Sequence, residues 1–316
     1  MLEIMLGGED AGDPPLTLTE LIYSGTPPTG WAGYSNAMIF DASKDRFMLH
    51  GPNDGKLYPF DLKTNSFSAP GTPASPTLRM GTRFSEVASN GGAALKWGIA
   101  GSNYTNDCYY VNSALNFYST SSWTGNCSYL QQCLVGNVAY FFGGIYGQTV
   151  MNKNDMSVYQ WNLLSTGITA HGTTTMAPLT YNAYCGHDDV SIFIFGGAKS
   201  VSGSNTASTD VWRYLLAQKV WQKTANVPFN LVGGQNAPYY DGKFWFLGAT
   251  TANDTLLSQQ LWSYEVYNAT WKLEATYPEL AGYRTGQQFV YDDKLYYVMP
   301  QNGGQVSTRI FTINLK

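Results

Sequence analysis

The chain has 316 residues, 44% apolar and only 13% charged, with 15% aromatic side chains and a formal charge of −4. That composition supplies a sizeable core and excludes a disordered chain, while the acidic balance leaves no basic footprint for nucleic acid or an anionic membrane. Apolar runs such as 138–142 stop at glycine, far short of the ~20 residues a membrane-spanning helix needs, and 23 Tyr, 15 Phe and 9 Trp suit strands.

Residues 1–15 read as a tail. The segment has no basic region ahead of its apolar residues and carries Glu3 among them, so it is not expected to be a secretory signal; the expected setting is the cytoplasm or a virion. Its apolar cluster, with Ile4, Met5 and Leu6 at the centre, precedes an acidic, proline-marked hinge at 9–15. Such a cluster gains from docking on a partner chain, the plainer reading being a frayed terminus. Residues 16–23 then alternate as a strand does.

From there the chain repeats. Aromatic strands end at Phe60, Tyr110, Trp161, Tyr214, Tyr264 and Ile313, at intervals of 50, 51, 53, 50 and 49 residues. Seven residues after the first five lie Phe67, Phe117, Ile168, Trp221 and Trp271, all large and apolar. Upstream of each anchor runs an apolar strand, usually ending in glycine, preceded by another short strand and a tight turn such as Asp241-Gly242 or Asp292-Asp293. Near-continuous apolarity means that both faces of those strands are covered. Each unit therefore reads as a four-stranded antiparallel meander, a to d from inside outward, and six such units make an all-β, six-bladed propeller. The blades fall at about 30–70, 80–120, 128–171, 180–224, 233–275 and 284–316. The last lacks its own d strand, so residues 16–23 are expected to supply it and close the ring, leaving no free edge.

The apolar runs into Gly143-Gly144 and Gly196-Gly197, each followed by a polar loop and an aromatic strand, with a Trp seven residues beyond the anchors Tyr214 and Tyr264, resemble kelch repeats, over nearly the whole of 16–316. The resemblance implies the propeller fold; kelch propellers include adaptors, sugar-acid mutarotases and copper oxidases, so it specifies no activity.

In such a meander the a–b and c–d turns emerge on one face and the b–c and d–a connections on the other. The second set is long and rich in Ser, Thr, Asn and Gly, so binding is expected there. Entering the inner strands at the same period are Tyr34, Arg83, Gln131, Tyr184, Gln235 and Arg284. Arg83 and Arg284 flanking Tyr34 suit a carboxylate through charge-assisted bonds. The others, with Trp31, suit a sugar's hydroxyls and apolar face. The plainer reading is that the arginines bind backbone carbonyls of a wet channel. Glu86, three residues after Arg83, is the one weak candidate for a general base, though such pairs are more often structural.

Other chemistry finds little support. Three histidines, His50, His171 and His187, show no metal-ligand spacing, and His187 falls in an a–b turn on the opposite face. No serine-hydrolase elbow, phosphate loop or dinucleotide fingerprint occurs, so no metal or cofactor is expected. Cys108, Cys127, Cys133 and Cys185 read either as buried thiols or as containing a Cys127–Cys133 disulfide. Four glycosylation sequons, at Asn103, Asn126, Asn253 and Asn268, are what chance supplies in so Asn-, Ser- and Thr-rich a chain. The expectation is a non-catalytic recognition propeller binding a protein or glycan through its loop-rich face, as an exposed part of a larger assembly such as a bacteriophage virion or tail. The alternatives are a carbohydrate-active enzyme resembling kelch-type sialic-acid mutarotases, and a cytosolic kelch adaptor.

Overall fold

The structure, a computed structural model, describes residues 15–31, 37–71, 84–96, 99–100, 103–104, 108–114, 117–119, 127–128, 131–142, 145–146, 158–165, 167–172, 182–201, 204–234, 236–248, 257–302 and 305–316. Regular structure among them is strand, with three short 3-10 turns.

The strands form a β-propeller of four-stranded antiparallel blades, of which five are complete. Outward from the axis, the first contains Met38–Asp41, Arg46–His50, Leu57–Asp61 and Ser66–Phe67. The others open with inner strands Gln131–Val135, Tyr184–His187, Tyr239–Tyr240 and Gln287–Tyr291. The expected second unit departs from the pattern. Its strands Ala93–Lys96, Cys108–Val111 and Phe117–Ser119 form a three-stranded sheet, and its innermost strand, Phe84–Glu86, pairs in parallel with Met38–Asp41 of the neighbouring blade. Five complete blades thus stand where six were expected, because this strand's backbone bonds go sideways around the axis. Its link to its own sheet survives in the Ala88 N–H to Gly92 C=O bond of 2.8 Å.

The seven-residue spacing has a direct structural cause. Phe60 pairs across strands with Phe67, Trp161 with Ile168, Tyr214 with Trp221 and Tyr264 with Trp271. Ring centroids lie 4.8, 4.9 and 5.1 Å apart in the three aromatic pairs; each adds about 0.5–1.5 kcal/mol beyond its area burial. In the three-stranded sheet the register slips by one, and Phe117 faces Val111 instead of Tyr110. Turn chemistry agrees with the sequence: Asp241-Gly242 and Asp292-Asp293 all have positive φ, the hairpin geometry that Gly, Asp and Asn tolerate best.

The second strands are buried on both faces and knit neighbouring sheets together. Phe193 and Phe195 pack with Phe244 and Phe246; Leu247 packs with Leu295 and Tyr297; Phe289, Tyr296 and Val298 pack with Phe40, Phe47 and Phe60. Buried amides add polar ties. Gln132 Nε2 donates to Ala94 C=O at 2.9 Å, and Gln288 exchanges bonds of 2.9 and 2.7 Å with the backbone of Leu247.

The N-terminal segment is drawn into this array. Leu18–Glu20 pairs antiparallel with Ile310–Asn314, with Leu18 opposite Ile313. A few residues on, Ser24 bridges to Ser66 of the first blade, and the Tyr23 ring lies 5.5 Å from that of Phe67. The tail residues Ile4, Met5 and Leu6 lie outside the described residues.

The cysteine expectation is corrected. Cys133 and Cys185 form a disulfide with a Cα separation of 6.8 Å, joining the inner strands of adjacent blades. Cys127 instead sits opposite Tyr146 in a short ladder. Register within a repeat brought together two residues 52 apart, which nearness in sequence does not reveal.

Candidate functional site

The inner strands run side by side in parallel, as the pairing of Met38–Asp41 with Phe84–Glu86 and the bridge between Cys185 and Asn236 show. Their starts therefore face one mouth of the channel and their ends the other.

At the loop-rich mouth, Tyr34, Arg83 and Gln235 lie outside the described residues. Trp31 is fully buried against Met38 and Phe47, its Nε1 donating to Ala37 C=O at 3.4 Å, so it is a core ring and not an exposed platform. Tyr184 is also fully buried, 5.8 Å from the Phe246 ring, and Gln131 is buried at the head of its strand opposite Phe142. Arg284 is partly exposed, but it precedes its inner strand, in a short ladder opposite Gln301. The described members of the expected site thus do not form one open surface; burial of their apolar bodies between blades has claimed three of them.

The other mouth carries a cluster of ionisable groups. Glu86 ends the inner strand Phe84–Glu86, and His187 ends Tyr184–His187, 101 residues later. Glu86 Oε2 lies 3.2 Å from His187 Nε2, and Asp189 Oδ1 lies 3.2 Å from Nδ1. The Asp189 backbone N–H also faces Nδ1, at 3.4 Å. This arrangement serves both charge states of the ring: the imidazolium donates to both carboxylates, and the neutral form donates to Glu86 while accepting from the Asp189 N–H. Burial opposes the imidazolium, but the hydrogen bond to Glu86 and the fields of Glu86, Asp189 and Asp188 outweigh it, and the His187 pKa is raised above its ordinary value. Asp188 is held by the Ser191 N–H at 2.7 Å and lies 3.5 Å from Arg213 Nη2, which pins the turn that presents His187.

Around this pair lies a cavity of about 150 Å³, whose lining includes the polar Glu86, His187, Asp189 and Asn236 and the apolar or aromatic Phe40, Phe289, Pro238 and Tyr239. Phe40 and Phe289, both in its lining, stack with ring centroids 4.4 Å apart. Tyr239 is 39% exposed; burial, then the charges of Asp188, Asp189 and Asp241, push its hydroxyl pKa up. Asn236 is oriented by its Nδ2 donating to Gln288 C=O at 3.1 Å. Gly186 completes the wall because a Cβ there would collide with the Ala237 carbonyl. Among the described residues no group of three or more His, Cys, Asp or Glu is arranged to hold a metal ion.

A larger cavity of about 380 Å³ lies by the last two blades, lined by Leu16, Tyr240, Lys243, Trp245, Lys272, Glu274 and Lys316 among others. Its cations all have carboxylate neighbours: Lys272 lies 2.6 Å and Lys243 3.7 Å from Glu274, and Lys316 lies 2.8 Å from Asp293. Lys243 and Lys272 thus share one carboxylate, and Asp241 also lines the cavity.

The sequence reading located His187 in an a–b turn but tied Glu86 to Arg83, three residues before it. It missed Asp189, Asn236 and Tyr239 as partners. The available signal was strand parity: Glu86 and His187 both stand at the turn ends of inner strands.

No family model matches the chain, and a comparison with curated proteins likewise finds no match.

Proposed function

We propose that this protein is a non-catalytic recognition module, a kelch-like propeller of six units closed into a ring by its N-terminal strand, which binds a protein or glycan. The pairing of Leu18–Glu20 with Ile310–Asn314 and the apolar cluster shared by Phe289, Tyr296, Phe40 and Phe47 support closure. The three-stranded sheet with Phe84–Glu86 beside it supports a sixth unit. The long polar loops of the b–c/d–a face supply recognition surface, and the tail around Ile4, Met5 and Leu6 docks the propeller on a larger assembly such as a bacteriophage virion or tail.

One observation carries the choice of binding over catalysis. Sugar-acid mutarotation needs a proton-transfer group beside a cation that holds the substrate carboxylate. Glu86 and His187 stand at the turn mouth, whereas Arg284 precedes its inner strand, toward the loop mouth. The candidate base and Arg284 thus lie toward opposite ends, which supports binding over catalysis. The hydrogen bond between Glu86 and His187 favours a second reading, in which this pair is the acid–base couple of a carbohydrate-active enzyme. A cytosolic adaptor is the third. A glycan array probed with the whole chain, together with capture of binding proteins on the immobilised chain, tests the recognition reading. Selective retention of a glycan or protein class supports it; no retention of either contradicts it.

A further inference from the structure

We propose that the turn-side mouth of the channel is itself a sugar-binding site, built to hold one neutral hexose ring of a glycan. This goes beyond recognition through the loop face and does not depend on it, since the two sites lie at opposite mouths.

The ligand class follows from the walls. Tyr239 is 39% exposed beside the cavity and offers an aromatic surface, which suits the C–H face of a pyranose. Lining the same cavity, Glu86 and Asp189 offer carboxylate oxygens, and a carboxylate accepts adjacent hydroxyls through strong, charge-assisted bonds. His187, between them at 3.2 Å from each, keeps both carboxylates oriented. Asn236, anchored through its Nδ2, leaves its carbonyl oxygen to a hydroxyl donor. A cavity of about 150 Å³ lined by both apolar and polar side chains fits a single amphipathic ring and not an extended peptide. Charge selects further. Two carboxylates around one imidazole leave the mouth negative, so sugar acids such as sialic acid are repelled and neutral hexoses are accepted. An aromatic surface without nearby carboxylates would not discriminate in this way.

The test is a titration of the whole chain, followed by NMR of the His187 and Tyr239 side chains, with the methyl glycosides of galactose, glucose and mannose and with free N-acetylneuraminic acid. At least one neutral glycoside should move both signals saturably, and the sialic acid should move neither. Tyr239→Ala and Glu86→Gln should each weaken that binding about tenfold, the usual scale for a lost charge-assisted or stacking contact. Tyr267→Ala, which removes a 94% exposed ring away from the cavity, should leave it unchanged. Asp189→Asn serves as the second carboxylate variant if Glu86→Gln does not fold. No shift with any of the three hexosides, or binding that survives both Tyr239→Ala and loss of a carboxylate, overturns the proposal. A glycan array negative for loop-face ligands leaves this titration unaffected, so the two readings fail separately.

Discussion

Glu20 and Arg309 are 289 residues apart in sequence and hold each other through two prongs, Arg309 Nε donating to Oε1 at 2.7 Å and Nη2 donating to Oε2. The pair fastens the N-terminal strand at the point where it meets the last blade. Both side chains are well exposed, and exposed pairs contribute only about 0–1 kcal/mol. The junction therefore rests on the backbone ladder and on Tyr23, whose ring sits 5.5–5.8 Å from Phe60 and Phe67.

The first prediction follows from that difference. Glu20→Ala should lower stability by no more than about 1 kcal/mol. Deletion of residues 1–23 should expose the edge of Ile310–Asn314 and cause aggregation or loss of cooperative unfolding. Thermal unfolding with size-exclusion chromatography checks both; a monomeric truncation with unchanged melting would contradict the proposed closure of the ring by the N-terminal strand.

The second concerns the inter-blade disulfide. Peptide mapping without reductant should recover Cys133 linked to Cys185, not Cys127 to Cys133. Cys185→Ser should cost about 2–4 kcal/mol in denaturant unfolding, the usual range for a bridge closing a loop of this order.

The third is a pH dependence with two opposed parts. Burial pushes the His50 pKa down to about 4, the field of Asp54 only partly opposing it. The unfolded chain then binds the proton first, so stability falls as pH drops from about 6.5 toward about 4, by on the order of 3 kcal/mol. His187 faces Glu86 from the second unit, Asp188 and Asp189 from its own turn, with Arg213 behind Asp188 and Tyr239 on the next blade. Its pKa is raised, so its contribution is complete below about 6.5 and is lost as pH rises through the folded value. NMR titration should show His187 titrating well above His50, and Glu86→Gln should lower the His187 pKa.

The fourth addresses the loop mouth. If an anion is held there, Arg83→Ala and Arg284→Ala should each weaken its binding by at least about 1.5 kcal/mol with little change in stability. Calorimetric titration with the retained ligand checks this. Variants that bind normally, or that both unfold, would leave the arginines a structural role.

Much of the fold was legible because a cross-strand pair such as Tyr214 with Trp221 fixes a constant interval, and a repeated interval reports a repeated unit. The second unit was less so, since nothing in its composition says that Phe84–Glu86 bonds sideways to Met38–Asp41. The site was hardest to read. Trp31 and Tyr184 look like ligand platforms in sequence, but their apolar surface is worth more between blades than at a mouth. Glu86 and His187 meet only because two inner strands 101 residues apart end at the same level, a coincidence of three-dimensional register that neither local motif records.

A recognition module without proton-transfer chemistry leaves the exchange of sugar anomers untouched, and that exchange is directly measurable. Saturation-transfer NMR on free N-acetylneuraminic acid and on glucose, with the whole chain present, should show anomer exchange at the uncatalysed rate, while glycans retained on the array still bind. Exchange accelerated by the protein and abolished by His187→Gln would make the Glu86–His187 pair a catalytic couple and contradict the recognition reading.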